Sequence, residues 1–235
     1  YYRNEMRNLL KAGQVSLRET AKAERVHLYL MGRIKTLLAD AAIDNEEMKA
    51  ALGQTADIYH GNFSLFQSLP DVWAIDQIHP IAPLHRLNDT PRRRAILSDI
   101  TCDSDGKIDK FVLGEGIVDT LPVHDLRADE DYYLGVFFIG AYQETLGDLH
   151  NLFGDTNVVT IELRDDGSFE LMHEQEGDTV SEVLSYVEYD PRAMVNEFKK
   201  TVERAVRAGD ISPRDRRDMI AAFKDSIHGY TYFEH

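Results

Sequence analysis

The spacing of apolar residues changes twice along the chain, and this change constrains the fold more than any other feature. In residues 1–60 apolar side chains recur at three- and four-residue steps, which is typical of one face of an amphipathic helix. Gly13 is predicted to separate this helix from a shorter one before it, and Asp44 or Asn45 to cap another after it. We therefore expect a small helical bundle. Its apolar stripe consists of Val26, Leu30, Ile34, Leu37, Leu38 and Ala41.

The middle of the chain, residues 61–187, contains short runs of β-branched and aromatic residues that are broken by proline, glycine and aspartate. Asp166 and Gly167 supply a hairpin turn between two of these runs. The pattern predicts a mostly antiparallel β-domain, arranged as a barrel or a sandwich. The predicted strands are FSLFQ (63–67), WAIDQ (73–77), RAILSDI (94–100), KFVLG (110–114), YYLGVFFIGAY (132–142), NVVTIELR (157–164) and SFELMHEQ (168–175).

The last zone returns to helical spacing. Asp190 can cap a helix that has Pro191 at its first position, and Gly209 can end it. Ser212 and Pro213 repeat the same starting signal for a second helix. We expect the two helices to form a hairpin. Their apolar stripes are Met194, Val195, Phe198, Val202, Val206, Met219, Ile220, Phe223 and Ile227.

The sequence as a whole predicts an α+β protein with three parts: a helical bundle in 1–60, the β-domain in 61–187 and the helical hairpin in 188–235. Its 41 acidic and 26 basic residues give a formal charge of −15. This charge disfavours nucleic acid as a partner, because phosphates are bound by clusters of lysine and arginine. No apolar run is long enough to suggest a membrane span. The chain begins YYRNEM with a helical pattern already under way, so we expect it to be part of a longer protein.

The chain's one cysteine lies at the head of an acidic segment, TCDSDGKID (101–109). Gly106 takes the place of the glycine of a calcium-binding EF-hand loop, but Thr101 and Val112 stand where that loop needs acidic ligands. A predicted strand also precedes the segment, whereas an EF-hand needs a helix there. Two hypotheses remain, an active-site loop that faces a cationic substrate and a polar turn without a ligand.

The acidic neighbours of Cys102 determine what chemistry its thiol could perform. Asp99, Asp103 and Asp105 would disfavour a negatively charged thiolate by like-charge repulsion. The sequence therefore favours a neutral thiol that can donate a proton. The same carboxylates could bind an ammonium or a guanidinium group through charge-assisted hydrogen bonds.

The segment GAYQETLGDLHNLFGDTN (140–157) contains three glycines, which a plain helix would not favour. Glycine often marks a place where the backbone comes close to a ligand, and a tyrosine hydroxyl on such a turn can donate to a phosphate oxygen. A turn without a ligand is an equally good hypothesis. His150 has no cysteine pair near it for a zinc site, and a lone histidine is more often a packing residue than a ligand or base.

Read together, these segments resemble the bacterial biosynthetic arginine decarboxylases, pyridoxal-phosphate enzymes of the alanine-racemase-like fold. The resemblance covers essentially the whole chain. It implies that 1–60 is an inserted bundle, 61–187 the β-domain and 188–235 a C-terminal helical extension. The matching stretches are NFSLFQSLPDVWAIDQIHPIAPLHRLN (62–88), DITCDSDGKID (99–109), LGVFFIGAYQETLGDLHNLFGDTN (134–157), GDTVSEVLSYVEYDP (177–191) and GYTYFE (229–234).

The resemblance also implies roles for individual residues. Cys102 would protonate the carbanionic intermediate after CO2 leaves, from a loop that crosses into the neighbouring subunit's site. Asp103 would bind the cationic end of the substrate, with Asp105 and Asp76 as further candidates. Tyr142 would bind the cofactor phosphate.

The implied reaction converts L-arginine to agmatine and CO2 with pyridoxal 5'-phosphate, in polyamine and spermidine biosynthesis in the cytoplasm. Mg2+ is a second cofactor that the resemblance suggests. The implied partners are the protein's own N-terminal barrel and further subunits in a homodimer or tetramer. His150 and Asn151 would lie near that subunit interface, without an assigned role. The Schiff-base lysine would lie in the barrel, upstream of Tyr1, so the chain alone should be inactive. The alternatives are a non-catalytic module that binds a polyamine or a protein, and a decarboxylase of another basic amino acid.

Overall fold

The computed structural model describes residues 2–41, 56–114, 116–140 and 142–234, and these contain both helices and strands. The α+β class predicted from the sequence is therefore confirmed. The further helix that Asp44 or Asn45 was predicted to cap lies outside the described residues.

The described residues of the first part of the chain form α1 (Tyr2–Lys11) and α2 (Leu17–Ala41), and these helices contact each other. Gly13 has a φ of +69° between them, which confirms the predicted break. Three residues of the predicted stripe, Val26, Leu30 and Leu37, are each more than half exposed to solvent in the described structure.

The central sheet has four strands, and β3 (Arg93–Ser98) is the strand with which the other three pair. Parallel to β3 lies β1 (Asp57–His60), in the zone that was predicted to be helical. Antiparallel to β3 lie β4 (Lys107–Ile108) and β7 (Leu121–Val123). The strand RAILS is thus confirmed, and it becomes the centre of the sheet.

The remaining described strands form three antiparallel pairs. The first joins β2 (Ile81–Pro83) and β8 (Leu134–Val136), and the second joins β5 (Phe111–Leu113) and β6 (Gly116–Val118). The third is the predicted hairpin of β9 (Val158–Leu163) and β10 (Phe169–Gln175), with Gly167 at a φ of +82° in its turn. The described strands are mostly antiparallel, as predicted, but they form separate sheets and no closed barrel.

Two predicted strands are wrong, because 65–67 of FSLFQ and 73–75 of WAIDQ belong to the short helices α3 (Leu65–Ser68) and α4 (Pro70–Ile75). Local signals for a helix start overrode the apolar composition. The Ser64 hydroxyl accepts a hydrogen bond from the Gln67 amide, and Pro70 is the first residue of α4. The long run YYLGVFFIGAY is a strand only in β8, and Phe138 beyond it has a φ of +60°.

The main core lies between the central sheet, α3 and the first two strand pairs. Ala95 and Val123 are fully buried, and Leu65 of α3 is 1% exposed. This packing fixes α3 against the end of β3, where the acidic loop begins. The core residues are Leu65, Leu69, Ile81, Ala95, Leu97, Ile108, Phe111, Leu121 and Val123.

The chain ends in three helices, α6 (Val180–Tyr186), α7 (Pro191–Ala208) and α8 (Pro213–His228). The predicted hairpin of the last two is confirmed, and the rings of Phe198 and Phe223 stack between them with centroids 4.2 Å apart. The predicted caps are also found. The Asp190 carboxylate caps α7, Gly209 ends it with a φ of +80°, and the Ser212 hydroxyl caps α8.

Candidate functional site

A buried carboxylate organises the acidic loop. Asp99 follows β3 and is 2% exposed. Its Oδ1 accepts hydrogen bonds from the Thr101 amide (3.0 Å) and hydroxyl (2.8 Å), and its Oδ2 accepts one from the Leu65 amide (2.8 Å). The side chain thus satisfies a free amide at the start of α3 and fixes the first turn of the loop. Sequence reasoning treated Asp99 only as a negative neighbour of the thiol.

Gly106 is required by close packing where the loop returns to β4. A Cβ at this position would lie 2.2 Å from Asp99 Oδ1 and 2.6 Å from Thr101 Oγ1. The Gly106 carbonyl accepts from the Asp99 amide at 2.8 Å, and its amide donates to the Asp103 carbonyl at 3.2 Å. The loop is therefore closed on itself around the Asp99 carboxylate.

A second segment lies opposite this loop. It comprises α5 (Tyr142–Leu146) and a 3-10 turn (His150–Leu152). The Asp148 amide donates to the Phe66 carbonyl of α3 at 3.0 Å, and the Asp148 carboxylate accepts from the His150 amide at 3.0 Å. Inside the turn Asn151 has a φ of +64° and Leu152 one of +61°.

The loop and the turn meet through two side-chain pairs. The Cys102 thiol donates to Asn151 Oδ1 at 3.2 Å, and His150 Nε2 lies 3.3 Å from Asp103 Oδ2. The His150 ring also packs edge-on against Phe66, with centroids 5.1 Å apart. His150 thus contacts both Phe66 and Asp103, and its side chain stays 51% exposed.

Asp103 is shared between the two segments. Its Oδ1 accepts the Asp105 amide at 3.0 Å, which leaves Oδ2 facing His150, and its side chain stays 34% exposed. The carboxylate is therefore oriented by its neighbours and still reachable by a ligand.

Asp76 and Asp105 line a separate groove of about 280 Å³, together with Trp73 and Lys110. Asp76 ends α4 in the left-handed conformation, with a φ of 54°. Neither Asp76 nor Asp105 forms a salt bridge within the described part of the chain, whereas Asp109 is paired with Lys107 at 2.7 Å. The Asp109 carboxylate raises the pKa of Lys107. The two unpaired carboxylates are suited to bind a cation.

Tyr142 begins α5 with its side chain 77% exposed. The next residue, Gln143, is 4% exposed and exchanges two hydrogen bonds with Asp71 of α4. These bonds hold the start of α5 in place, so the phenol hydroxyl is presented outward on an anchored element. One exposed hydroxyl fits a single contact to a phosphate group.

The C-terminal residues clamp the segment that carries the turn, which sequence reasoning missed. Gly154 donates its amide to Thr231 Oγ1 (3.1 Å), and its carbonyl accepts the Tyr232 hydroxyl (2.8 Å). The Tyr232 ring lies against Phe153, with centroids 5.3 Å apart, and burial raises the pKa of Tyr232. Closely spaced tyrosines after the last helix were the signal in the sequence.

A pair of acids lies beside this clamp. Asp155 accepts from the side-chain amide of Gln67, and its own amide donates to Asp178 Oδ2 at 2.8 Å. Partial burial and the negative charge of Asp178 raise the pKa of Asp155 above the ordinary value of 3.8.

The described residues contain neither a metal-ligand cluster nor a membrane-spanning helix. No group of three or more histidine, cysteine, aspartate or glutamate side chains is placed to hold a metal ion. None of the described helices has the length and apolar character needed to cross a membrane.

Comparison with known proteins identifies relatives across almost the whole chain. Residues 180–233 match the family described as arginine decarboxylase C-terminal helical extension. The biosynthetic arginine decarboxylase of Rhodopirellula baltica is 45% identical over 225 residues, which are 96% of this chain and 34% of that protein. That of Bacteroides thetaiotaomicron is 43% identical over 232 residues, 99% of this chain and 37% of that protein.

The fold leads to the same group of proteins. The crystal structure of the biosynthetic arginine decarboxylase from Campylobacter jejuni matches with a TM-score of 0.74 and 29% identity, over 99% of this chain and 36% of that one. The chain thus spans about a third of the length of the curated relatives it matches. The chain is thus similar over almost its whole length to biosynthetic arginine decarboxylases, and the match of 180–233 places this similarity in their C-terminal part.

Proposed function

We propose that this chain is the C-terminal part of a pyridoxal-phosphate-dependent carboxy-lyase that converts L-arginine to agmatine and CO2. One observation carries the proposal: 40–45% identity to biosynthetic arginine decarboxylases extends over at least 96% of the chain. The thiol and carboxylates that the reaction needs lie on anchored loops of the described structure, which supports it further.

In this function Cys102 is the proton donor. When bound, pyridoxal phosphate would delocalise the electron pair that stays with the substrate's α-carbon after CO2 departs, and this pair would remain available for a new C–H bond. The Cys102 S–H bond then breaks, its proton forms the new C–H bond at that carbon, and the sulfur keeps the electron pair as a thiolate. Solvent restores the proton before the next turnover. The exposed position of the thiol is suited to reach a substrate that other parts of the protein hold.

Three carboxylates are available for the guanidinium end of arginine. Asp103 lies beside the thiol, and Asp76 and Asp105 line the neighbouring groove without salt bridges to the described residues. A planar guanidinium can donate two parallel hydrogen bonds to a carboxylate, which a shorter ammonium group cannot reproduce. A site built for guanidinium should reject ornithine because its carboxylates would stay unpaired.

The described residues fit only part of a cofactor site. Tyr142 would donate one hydrogen bond to the phosphate of pyridoxal 5'-phosphate, and further contacts have to come from elsewhere in the protein. For Mg2+, the second cofactor that the resemblance suggests, the described residues contain no group of three or more side chains placed to hold it. We therefore assign no step of the reaction to a metal.

The test is CO2 release from carboxyl-labelled L-arginine by the full-length protein loaded with pyridoxal phosphate, with L-ornithine and L-lysine as competing substrates. We expect release from arginine that falls strongly in Cys102→Ala. Release from ornithine or lysine alone would move the assignment to another basic amino acid. A folded, loaded protein that decarboxylates none of them would favour a binding module instead.

Several wider features belong to this proposal. We place the protein in polyamine and spermidine biosynthesis in the cytoplasm, as a homodimer or tetramer in which a Schiff-base lysine lies in an N-terminal barrel. We also retain the predicted division near 60 and 187, with β1 counted in the β-domain because it pairs with β3 and α6 counted in the helical extension, which the family match includes. A barrel or sandwich arrangement of the β-domain in the full-length protein belongs to the proposal as well. Sedimentation of the loaded full-length protein would test the subunit number.

A further inference from the structure

We propose that Asn151 is a positioning residue for the thiol: its amide oxygen accepts the Cys102 S–H and thereby holds the Cys102 side chain in one conformation, with the sulfur at a fixed place on its loop. This inference rests on the proposed function for its consequence, but not for its geometry. It gives a role to a residue for which the sequence indicated none.

The contact itself is specific. Cys102 Sγ and Asn151 Oδ1 are 3.2 Å apart, on elements 49 residues apart in the chain. A thiol is a weak donor that rotates freely about its Cβ–Sγ bond unless an acceptor selects one orientation. Oδ1 is the amide atom of Asn151 that faces the sulfur, and the amide nitrogen is buried without a hydrogen-bond partner among the described residues.

The backbone conformation explains why asparagine suits this position. Asn151 has a φ of 64°, in the left-handed region where most residues with a Cβ are strained and asparagine is tolerated better than most. Leu152 shares this conformation, with a φ of 61°, and gains no such tolerance from its side chain. A strained turn persists only where its surroundings hold it.

Both ends of the turn are held by other parts of the chain. On one side Asp148 is bound to the Phe66 carbonyl, and on the other Gly154 is bound to both Thr231 and Tyr232. The opposing loop is equally fixed, because the buried Asp99 carboxylate holds its first turn. Donor and acceptor are thus each presented by anchored backbone, which is the arrangement that a directional contact needs.

The consequence concerns where the proton goes. Decarboxylation requires the thiol proton to reach the α-carbon that has lost CO2. The thiol has one proton, so its hydrogen bond to Asn151 breaks when that proton moves to carbon, and the contact contributes the fixed place of the sulfur before this step. A sulfur without a fixed place would deliver the proton less often, and the competing outcome is abortive transamination, which yields an aldehyde in place of agmatine. Loss of one hydrogen bond corresponds to roughly a two- to tenfold change in such a partition.

The geometric test uses the S–H stretching band in Raman spectra of the full-length protein. The spectrum of Cys102→Ser, subtracted from that of the native protein, isolates the band of this thiol. We expect the band to move to higher frequency in Asn151→Gly, which removes the acceptor but tolerates the positive φ. Asn151→Asp, which keeps an acceptor oxygen, should restore the band to its native position or below it.

Leu152→Gly is the matched control, because it relaxes the same turn and leaves the amide oxygen in place. A band that stays unchanged in Asn151→Gly would overturn the proposal, and so would one that moves equally in Leu152→Gly. A native band at the frequency of a free thiol would also overturn it, since the asparagine would then present its nitrogen to the sulfur.

The functional test compares the ratio of aldehyde to agmatine from L-arginine in the same variants. We expect the ratio to rise about two- to tenfold in Asn151→Gly, to return toward native in Asn151→Asp and to stay unchanged in Leu152→Gly. A native protein that is inactive on arginine but shows the band shift would refute the proposed function and leave the contact established. An active protein whose band and ratio both stay constant would refute the role of Asn151 alone.

Discussion

The C-terminal helical hairpin and the turn around Asn151 are anchored in opposite ways. In the hairpin of α7 and α8, each cap lies within three residues of the amide it satisfies, as at Asp190 and Ser212. The turn is held from far away in the chain, by the Phe66 carbonyl and by Thr231 and Tyr232. The hairpin is thus specified locally, whereas the turn depends on the assembled fold.

The caps of the hairpin therefore contribute mainly to stability, whereas the anchors of the turn contribute mainly to the geometry of the site. A local cap contributes about 1 kcal/mol to its own helix and leaves the rest of the protein unchanged. A long-range anchor instead fixes the relative position of two segments, which is what a reaction between side chains on different loops requires. Changes at the anchors should therefore disturb the site, and changes at the caps should not.

The largest effect is expected from Asp99→Ala. The substitution leaves the Leu65 amide and the Thr101 amide and hydroxyl without their acceptor. Each buried donor left unsatisfied costs about 1–3 kcal/mol, so the free energy of local opening of 99–107 should fall by about 3 kcal/mol or more. Hydrogen–deuterium exchange of peptides from the full-length protein measures this change.

Asp109→Ala is the matched control, since Asp109 is an exposed carboxylate paired with Lys107. This substitution should change the free energy of local opening of 99–107 by less than about 1 kcal/mol. Equal effects of the two substitutions would show that Asp99 does not organise the loop.

A smaller effect is expected from Gly106→Ala. The new methyl group would lie 2.2 Å from Asp99 Oδ1, so the loop must shift or the carboxylate must move. We expect the free energy of local opening of the loop to fall by about 1–3 kcal/mol. Gly116→Ala is the control, because nothing lies within 4 Å of a Cβ there. Native exchange in the loop of Gly106→Ala would show that the space around Asp99 can adapt.

The same contrast explains what the sequence could predict. The helices α7 and α8 were placed correctly, since their start signals, apolar stripes and stop signals all lie within the helices or next to them. The strands RAILS and β9–β10 were found from composition and from the Asp166-Gly167 turn. FSLFQ was wrongly predicted to be a strand, because its apolar composition is typical of one. The Ser64 hydroxyl caps a helix at this place instead.

The site was predictable only in its chemistry. Cys102 and its acidic neighbours were visible in one loop, and the resemblance to decarboxylases assigned them roles that still await a test. Their contacts were not visible, because Asn151 and His150 meet the loop only once the chain has folded. Tyr232 was likewise hidden, since 78 residues separate it from the Gly154 carbonyl that it binds.

Tyr232→Phe should distinguish the two kinds of anchor most directly. It removes the hydroxyl that donates to Gly154 and keeps the ring against Phe153. We expect the free energy of local opening of 148–154 to fall by about 1 kcal/mol, and hydrogen exchange in α7 and α8 to stay unchanged. Ser212→Ala should have the reverse effect. It should lower the free energy of local opening of the first turn of α8 by about 1 kcal/mol and leave hydrogen exchange in 148–154 unchanged. Coupled changes in both regions would contradict the separation.

The smallest effect is a pH-dependent one at Asp155, beside the clamp. Its pKa is raised in the folded protein by partial burial and by the charge of Asp178. A carboxyl group with a raised pKa contributes stability below its unfolded value, near 3.8, and this stability is lost as the pH rises through the folded value. Asp155→Asn should therefore slow opening of 152–158 slightly at pH 7, and the advantage should vanish as the pH falls toward 3.8.

Asp166→Asn, in the turn between β9 and β10, is the control with the opposite sign. Hydrogen bonds from Ser168 lower the pKa of Asp166, so the native carboxylate adds stability above 3.8 that is lost on acidification. The asparagine variant should open that turn more readily at neutral pH, with no difference at low pH. Hydrogen exchange measures the local opening in both variants, after the exchange rates are corrected for the intrinsic pH dependence of amide exchange. An Asp155→Asn variant that is less stable at pH 7 would show that the Gln67 contact outweighs burial and Asp178, and that the clamp tolerates its acidic pair without cost.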